Sequence, residues 1–317
     1  MTQAVQSKRL EGRGGLHGAY RKSWRKYWDL YLLLLPVVAY FIIFKYIPMY
    51  GVMMAFKNFS PAKGILASKW VGLAHFQRFV STYDFWNIIR NTVTISLYQL
   101  AVGFPIPIML ALVLNEMHNG PYKKGIQTIT YAPYFLSTVV LVGMVEAFLH
   151  KDTGVLNNII AALGGDRVDF MTEESCFKSI YVWSGVWRGA GWGSIVYMSA
   201  LSAIDVQLYE AASIDGASRF KRLLYITIPS IIPTAVIMLI LDCGSIMNLG
   251  FEKVYLMQNA LNLNTSEVIS TYVYKVGIVQ AQYSYSTAVN LFNSLINLVF
   301  LLAVNKISKM LTESSLW

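Results

Sequence analysis

Acidic residues, cysteine and the motifs of catalytic chemistry are scarce in this sequence of 317 residues. It holds 17 acidic residues and two cysteines, and neither Cys176 nor Cys243 has a neighbour at the spacing of a metal site. No G-x4-G-K-[ST] loop for phosphate is present, so we do not expect the chain to hydrolyse ATP by itself. Its four histidines are scattered, and no Ser/His/Asp, Cys/His or paired-carboxylate arrangement occurs. We therefore expect neither an enzyme nor a metal or cofactor bound by this chain.

Long apolar runs dominate what remains. Hydrophobic residues make up 55% of the sequence and charged residues only 14%. Several runs reach the roughly 20 residues that a helix needs to cross about 30 Å of hydrocarbon. The net charge of +9 could indicate a nucleic-acid partner, but the basic residues cluster beside the apolar runs, where they act as topology signals. We predict an all-α, polytopic membrane protein that contacts lipid and no nucleic acid.

Six apolar stretches predict six transmembrane helices, with both termini in the cytoplasm. Their approximate bounds are 30–49, 88–114, 126–148, 180–201, 230–248 and 286–304. Residues 1–28 are strongly basic, which is typical of a cytoplasmic segment. A signal peptide is the rival interpretation, but the apolar run that follows is long and lacks a small-x-small cleavage site. The transmembrane domain would then cover residues 29–310, and residues 311–317 would form a cytoplasmic tail.

A polar stretch over residues 205–229 separates the fourth and fifth predicted helices. Asp205 can cap a short helix that ends near Ser213, and Gly216 can supply a tight turn. Ser218 can then cap a second helix that runs toward Ile226 before Pro229 opens the next apolar run. The basic side chains that place this loop in the cytoplasm are those of Arg219, Lys221 and Arg222.

This loop resembles the coupling loop of ABC-importer permeases, whose pattern is E-A-A-x3-G-x9-I-x-L-P. The matching positions are Glu210, Ala211, Ala212, Gly216, Ile226 and Pro229, and Ile228 stands in place of the leucine. An ordinary amphipathic loop between membrane helices is the alternative, but six matches at fixed spacing argue against it. In that family the loop docks into a cleft of a separate ATPase subunit. The resemblance implies ATPase-coupling roles for Glu210, Ala211, Ala212, Asp215, Gly216, Arg219 and Pro229.

Four further segments are similar to the polysaccharide and oligosaccharide permeases of the carbohydrate branch of that family. They are residues 46–51, 187–193, 249–255 and 271–277, and the resemblance extends over about residues 28–310. It implies the type I importer permease fold, a bacterial cytoplasmic membrane, and half of an alternating-access pathway for an oligosaccharide. It also implies a second related permease, an extracytoplasmic solute-binding protein, and two ATPase subunits that bind ATP and Mg.

Polar and aromatic residues inside the predicted helices are candidates for the substrate path. Arg188 and Asp242 fall at a similar depth, about 12 to 15 Å from the outer boundary at 1.5 Å per residue, so we expect them to meet as a buried ion pair. Arg188 could instead bind the carboxylate of a uronate sugar. Trp187 lies too deep for an interfacial anchor, whereas Trp183 suits one. The full set of path candidates is Trp187, Arg188, Trp192, Asp242, Asn248, Asn290 and Asn293.

Two questions stay open at this point. Asn290, Asn293 and Asn297 share one helix face, which can line the path or form hydrogen bonds between helices. The chain could also be an ABC permease for another nutrient, such as phosphate or a peptide, or an autonomous channel or carrier without an ATPase.

Overall fold

The structure, a computed structural model, describes residues 27–312. The predicted N-terminal segment, apart from its last two residues, and residues 313–317 of the predicted tail lie outside the described residues. The prediction of a helical protein is confirmed. Within the described chain the strands are a single antiparallel pair, β1 (Lys57–Asn58) and β2 (Lys69–Trp70), in which Lys57 lies opposite Trp70.

The α-helices of four or more residues are numbered in chain order; the three-residue α-helical turn Ile47–Met49 carries no number, and the short π and 3-10 segments are named where they matter. The first five are α1 (Trp28–Phe41), α2 (Gly64–Ala67), α3 (Ala74–Val80), α4 (Phe85–Gly103) and α5 (Pro105–Glu116). The next five are α6 (Pro121–Tyr131), α7 (Thr138–Leu149), α8 (Val155–Ala162), α9 (Glu174–Ser202) and α10 (Val206–Ile214). The last six are α11 (Arg219–Arg222), α12 (Ile228–Gly244), α13 (Phe251–Met257), α14 (Leu263–Ser266), α15 (Ile269–Tyr274) and α16 (Tyr283–Thr312).

Four helical segments of the described chain are long and apolar enough to cross a membrane. They are Trp28–Phe56, Phe85–Glu116, Arg219–Gly244 and Tyr283–Met310. The helices α6 and α7 pass the same test only when they are joined as one bent span. The 29-residue α9 reaches about 43 Å at 1.5 Å per residue, which is enough to cross, but its glycines, serines and charged side chains make it less apolar.

The prediction of one continuous third helix over residues 126–148 is wrong. The chain passes from α6 into a 3-10 segment, Ala132–Phe135, and then turns by 105° into α7. Pro133 has no amide proton and disfavours a continuing α-helix. Ser137 begins the new helix by accepting a hydrogen bond from the amide of Val140. A proline and a capping serine within five residues therefore break the helix.

The boundary predicted at Pro229 is also wrong. The helix that Ser218 caps runs on through α11, a π turn at Leu223–Thr227 and α12, so it is itself the fifth membrane helix. We attribute the tolerance of Pro229 to the wider π turn that precedes it. The fifth helix ends at Gly244, four residues earlier than predicted. The second membrane helix is interrupted at Phe104, where α4 and α5 meet.

The helix α9 lies at the centre of the fold, because it packs against α4, α5, α6 and α12. The largest core cluster joins its Tyr181, Val182 and Val186 to Ile95 of α4 and Val254 of α13. Small residues allow close approach on another side: a Cβ built at Gly191 would lie 2.0 Å from the carbonyl oxygen of Thr130 in α6. Only glycine fits there, so the broken third helix is held tightly against α9.

Candidate functional site

The predicted coupling loop, residues 205–229, is a compact helix–turn–helix. Asp205 caps α10 by accepting a hydrogen bond from the amide of Gln207 at 2.9 Å. The helix ends in a Schellman motif, in which the amide of Ala217 donates to the carbonyl of Ala212 and that of Gly216 donates to Ser213. Gly216 has a φ of +73°, which a residue with a Cβ adopts at a cost. The glycine of the pattern is thus required by the turn.

Side chains also join the two arms of this loop. Ser218 caps α11 through the amide of Lys221 at 3.4 Å. The guanidinium of Arg222 donates to Ser213 Oγ at 2.7 Å, and the hydroxyls of Tyr209 and Thr227 lie 2.9 Å apart. These contacts hold the two arms of the loop together.

The outer surface of the loop is exposed and partly apolar. The predicted coupling residues Glu210, Ala211, Asp215, Gly216, Arg219 and Pro229 are exposed, and Ala212 is half-buried. Ile214 is 87% exposed, and Phe220 and Tyr225 are exposed as well. Large apolar side chains exposed on a loop that the membrane does not cover can serve as contacts for a partner protein.

A second candidate site is an open cavity of about 360 Å³ between α4, α5, α9 and α12. One wall is the glycine face of α9, formed by Gly185, Gly189 and Gly193. The polar residues that line it are Tyr197 on the same helix and Ser96, Gln99, Asp242, Ser245 and Asn248 on the other walls. Hydroxyl, amide and carboxylate groups that face one cavity can bind a ligand rich in hydroxyls.

The predicted asparagine face divides between two environments. Asn248 Oδ1 accepts hydrogen bonds from Asn293 Nδ2 at 2.9 Å and from Asn297 Nδ2 at 3.1 Å. Asn297 also accepts from the amide of Met247 at 2.9 Å. Asn290 is exposed instead. The structure thus uses Asn293 and Asn297 for hydrogen bonds between segments, and only Asn248 also reaches the cavity.

The tryptophan candidates lie outside that cavity. Trp187 lines an apolar groove of about 490 Å³ between α7 and α9, together with Trp183. Trp183 donates from its indole nitrogen to the hydroxyl of Tyr98 at 2.9 Å. Trp192 stacks on Tyr134, with ring centroids 4.6 Å apart and planes 5° from parallel. The candidates from α9 therefore belong to different faces of that helix.

The expected ion pair between Arg188 and Asp242 is absent. Arg188 donates from Nη1 to Thr138 Oγ1 at 3.3 Å, and its buried Nε has no partner. Asp242 lines the cavity described above, to which Arg188 does not contribute. Within residues 27–312 the one ion pair is Lys275–Glu267, at 2.5 Å. Arg188 and Asp242 lie at a similar depth, but an ion pair also requires that their side chains point toward each other, and they do not.

Lys253 is a site residue that the sequence analysis missed. Its ammonium is buried, donates to the carbonyl of Tyr181 at 2.5 Å and lies 4.4 Å from the centre of the Tyr181 ring. Burial, together with the positive charge of Arg188, lowers the pKa of Lys253 from 10.5 to about 7. The signal that could have revealed it is a lysine in the largely apolar stretch Phe251–Met257, between the fifth and sixth predicted helices.

Comparisons with known proteins give consistent matches. A sequence profile described as "Binding-protein-dependent transport system inner membrane component" matches residues 103–312. The chain is 44% identical over 288 residues to Protein LplB of Bacillus subtilis (strain 168), with 91% of each chain covered. It is 42% identical over 288 residues to the polygalacturonan/rhamnogalacturonan transport system permease protein YteP of the same organism, with 91% of this chain and 90% of that protein covered.

A solved structure is similar over nearly the whole chain. It is the crystal structure of a bacterial alginate ABC transporter in complex with an alginate pentasaccharide-bound periplasmic protein. One of its chains matches with a TM-score of 0.86 and 40% sequence identity, covering 93% of this chain and 99% of that chain. The similarity therefore concerns the complete fold and is not limited to one segment.

Proposed function

The chain belongs to the family of binding-protein-dependent transport system inner membrane components, and we propose that it is a permease subunit of an ATP-driven importer of acidic oligosaccharides. It is a multi-pass membrane protein with the ABC importer permease fold. The observation that carries the substrate class is the similarity, over nine-tenths of the chain, to two proteins named for polygalacturonan and for alginate. Both names denote polysaccharides whose sugars carry carboxylates.

The arrangement in the membrane is six spans. Four segments are apolar and long enough, the bent pair α6–α7 adds a fifth, and α9 adds a sixth by its length. An even number of spans places both termini on one side, and the basic coupling loop, after the fourth span, lies on that same side. This arrangement puts α10 and the turn at Gly216, which precede the fifth span, in the cytoplasm, where an ATPase can reach them.

The coupling loop transmits the movements of the ATPase. Its shape is held by internal caps, whereas Ile214 and Phe220 remain exposed as contacts for a partner. The loop continues into the fifth membrane helix without a break. A force applied at α11 therefore reaches the cavity wall at Asp242 along one helix, and α10 acts on that helix through the Arg222–Ser213 and Tyr209–Thr227 contacts.

The substrate passes the cavity between α4, α5, α9 and α12. Its polar groups can exchange hydrogen bonds with sugar hydroxyls, and the glycines of α9 leave room for a ring. Asp242 and Asn248 are the path candidates that line it. Trp192 and Arg188 belong to the neighbouring face of the same helix.

A second, related permease completes the pathway. The helix α1 has no buried residue, so either lipid or another subunit covers it. Two ATPase subunits, which bind ATP and Mg, and an extracytoplasmic solute-binding protein complete the importer. The mass of the intact complex distinguishes a related second permease from a second copy of this chain.

The test is uptake by the complete complex in proteoliposomes. With the cognate binding protein and internal ATP, we expect accumulation of an oligogalacturonide, and little accumulation of a neutral malto-oligosaccharide of equal length. Uptake of the neutral sugar alone would overturn the substrate class. An importer of phosphate or peptide would take up neither sugar, and an autonomous carrier would take up sugar without ATP.

A further inference from the structure

We propose that Arg188, Lys253 and the N-terminus of α7 form a subsite that holds the carboxylate of a uronate sugar as it passes this subunit. The inference rests on the proposed function and adds to it the residues that recognise the charge. None of these groups lines the cavity described above, but the ammonium of Lys253 adjoins it at Gly185, which does. The sequence alone indicated a uronate role for Arg188 only, and the structure adds Lys253 and the helix end.

Two cations on neighbouring elements lack an acidic partner. Lys253 is only 9% exposed, and its ammonium lies against Tyr181 and 3.1 Å from the position of a Cβ built at Gly185. Arg188 lies on the same face of α9, three residues beyond Gly185, which is about 4.5 Å along the axis. Neither cation forms an ion pair with an acid of the described chain. The two positive charges therefore repel each other until an anion arrives.

The break in the third helix adds positive potential at the same point. The Nη1 atom of Arg188 donates to Thr138, which is the first residue of α7. The dipole of this 12-residue helix places partial positive charge at that end. Half-helices that begin within a membrane protein commonly direct their N-termini at anionic substrates. The helix end alone would not define a site, but here it adjoins a guanidinium whose Nε is buried without a partner.

An aromatic surface beside the cations indicates that the anion is carried by a sugar. Trp192 lies one turn beyond Arg188 on α9 and stacks on Tyr134, which lies in the 3-10 segment before the break. The two rings remain 44% and 41% exposed, so both can accept further contacts. Flat aromatic faces pack against the C–H faces of sugar rings, while a guanidinium binds a carboxylate through paired hydrogen bonds. A free inorganic anion would need only the cations.

The experiment compares charge-removing variants in the complete transporter with its binding protein. The variants are Arg188→Gln and Lys253→Gln, with Arg188→Lys as the conservative change. Lys178→Gln is the matched control, because it removes one positive charge from α9 ten residues away. The probe is a galacturonide oligomer, and the measurements are its uptake rate and the melting temperature of the detergent-purified complex.

We expect Arg188→Gln and Lys253→Gln to lower oligogalacturonide uptake by about tenfold or more, the effect of roughly 1.4 kcal/mol, while the melting temperature stays equal or rises. Arg188→Lys should restore part of the uptake, and Lys178→Gln should change neither measurement. Equal uptake in wild type and both Gln variants would overturn the subsite. A fall in uptake with a matching fall in melting temperature would also overturn it, because that result indicates a structural role. If the wild-type complex imports no galacturonide but imports a neutral sugar, it is the proposed function that fails.

Discussion

Asn248 accepts hydrogen bonds from Asn293 and Asn297 at once, at 2.9 and 3.1 Å, and so ties the segment after the fifth membrane helix to the sixth. One oxygen thus satisfies two amide donors that are buried on α16. Asn248 also lines the cavity. The same residue therefore links two helices and contributes to the proposed substrate path.

Removing this acceptor should destabilise the subunit. Asn248→Ala leaves both donors of α16 unpaired, and each unsatisfied buried group costs about 1 to 3 kcal/mol. We expect a lower melting temperature of the purified complex. Asn290→Ala is the control, since Asn290 lies on the same helix but is exposed, and it should leave the melting temperature unchanged. Equal stability of Asn248→Ala and wild type would contradict the hydrogen-bonded joint.

The turn of the coupling loop should tolerate asparagine but not valine. At Gly216 a Cβ would meet no atom within 4 Å, so the cost of a substitution comes from the φ of +73° alone. Asparagine adopts that conformation more readily than a β-branched residue, for which it is a genuine outlier. We expect Gly216→Val to insert in the membrane and to lose ATPase stimulation by the loaded binding protein, with Gly216→Asn close to wild type. If the loaded binding protein stimulated ATPase activity equally in Gly216→Val and Gly216→Asn, this turn would have no role in coupling.

Gly191→Ala should disrupt the close packing of α9 against α6, because it adds a methyl group where the two helices touch. The new Cβ would lie 2.0 Å from the backbone oxygen of Thr130, so one of the two helices must move. Overpacking of this kind typically costs about 1 to 3 kcal/mol. Gly189→Ala is the matched control on the same helix, because no atom lies within 4 Å of its Cβ position. The yield and melting temperature of the complex should fall for Gly191→Ala only.

Because Lys253 is buried, the stability of the folded subunit should increase as the pH rises from about 7 toward 10.5. Its pKa is about 7 in the folded chain and 10.5 in the exposed one, so between these values the unfolded state holds more protons. The cost of burying the charge is therefore complete below about pH 7 and fades as pH rises toward 10.5. Lys253→Met should raise the melting temperature at pH 6.5 more than at pH 9.5 in the absence of substrate. A difference that is independent of pH would show that Lys253 does not carry this charge penalty.

The features of the structure that depend on neighbouring residues, such as helix caps and turns, could be predicted from the sequence. The caps at Asp205 and Ser218 and the turn at Gly216 follow from residue types whose preferences act within a few positions. The break before Thr138 was missed because hydropathy continues across it, although Pro133 and Ser137 carry the signal. Four of the six apolar stretches, 30–49, 88–114, 180–201 and 286–304, lie within helical segments of the structure, because the length of an apolar run is set by the bilayer.

The candidate site was less predictable, because it depends on which way each helix face points. Depth along a helix paired Arg188 with Asp242, but in the structure Arg188 contacts Thr138 of α7 whereas Asp242 lines the cavity. Lys253 lies in a short helix between two spans, and its contact with Tyr181 joins residues 72 positions apart. Such contacts follow from the packing of whole helices, which no local pattern in one sequence encodes.

The most direct test of the whole account is the ATPase rate of the purified complex in nanodiscs. It should be measured with the binding protein empty, loaded with an oligogalacturonide, and absent. We predict that an ATPase copurifies with this chain. We also predict that the ATP hydrolysis rate is well above the rate with the empty binding protein when the binding protein is loaded. A chain that purifies without an ATPase and moves the sugar equally well without ATP would contradict this account.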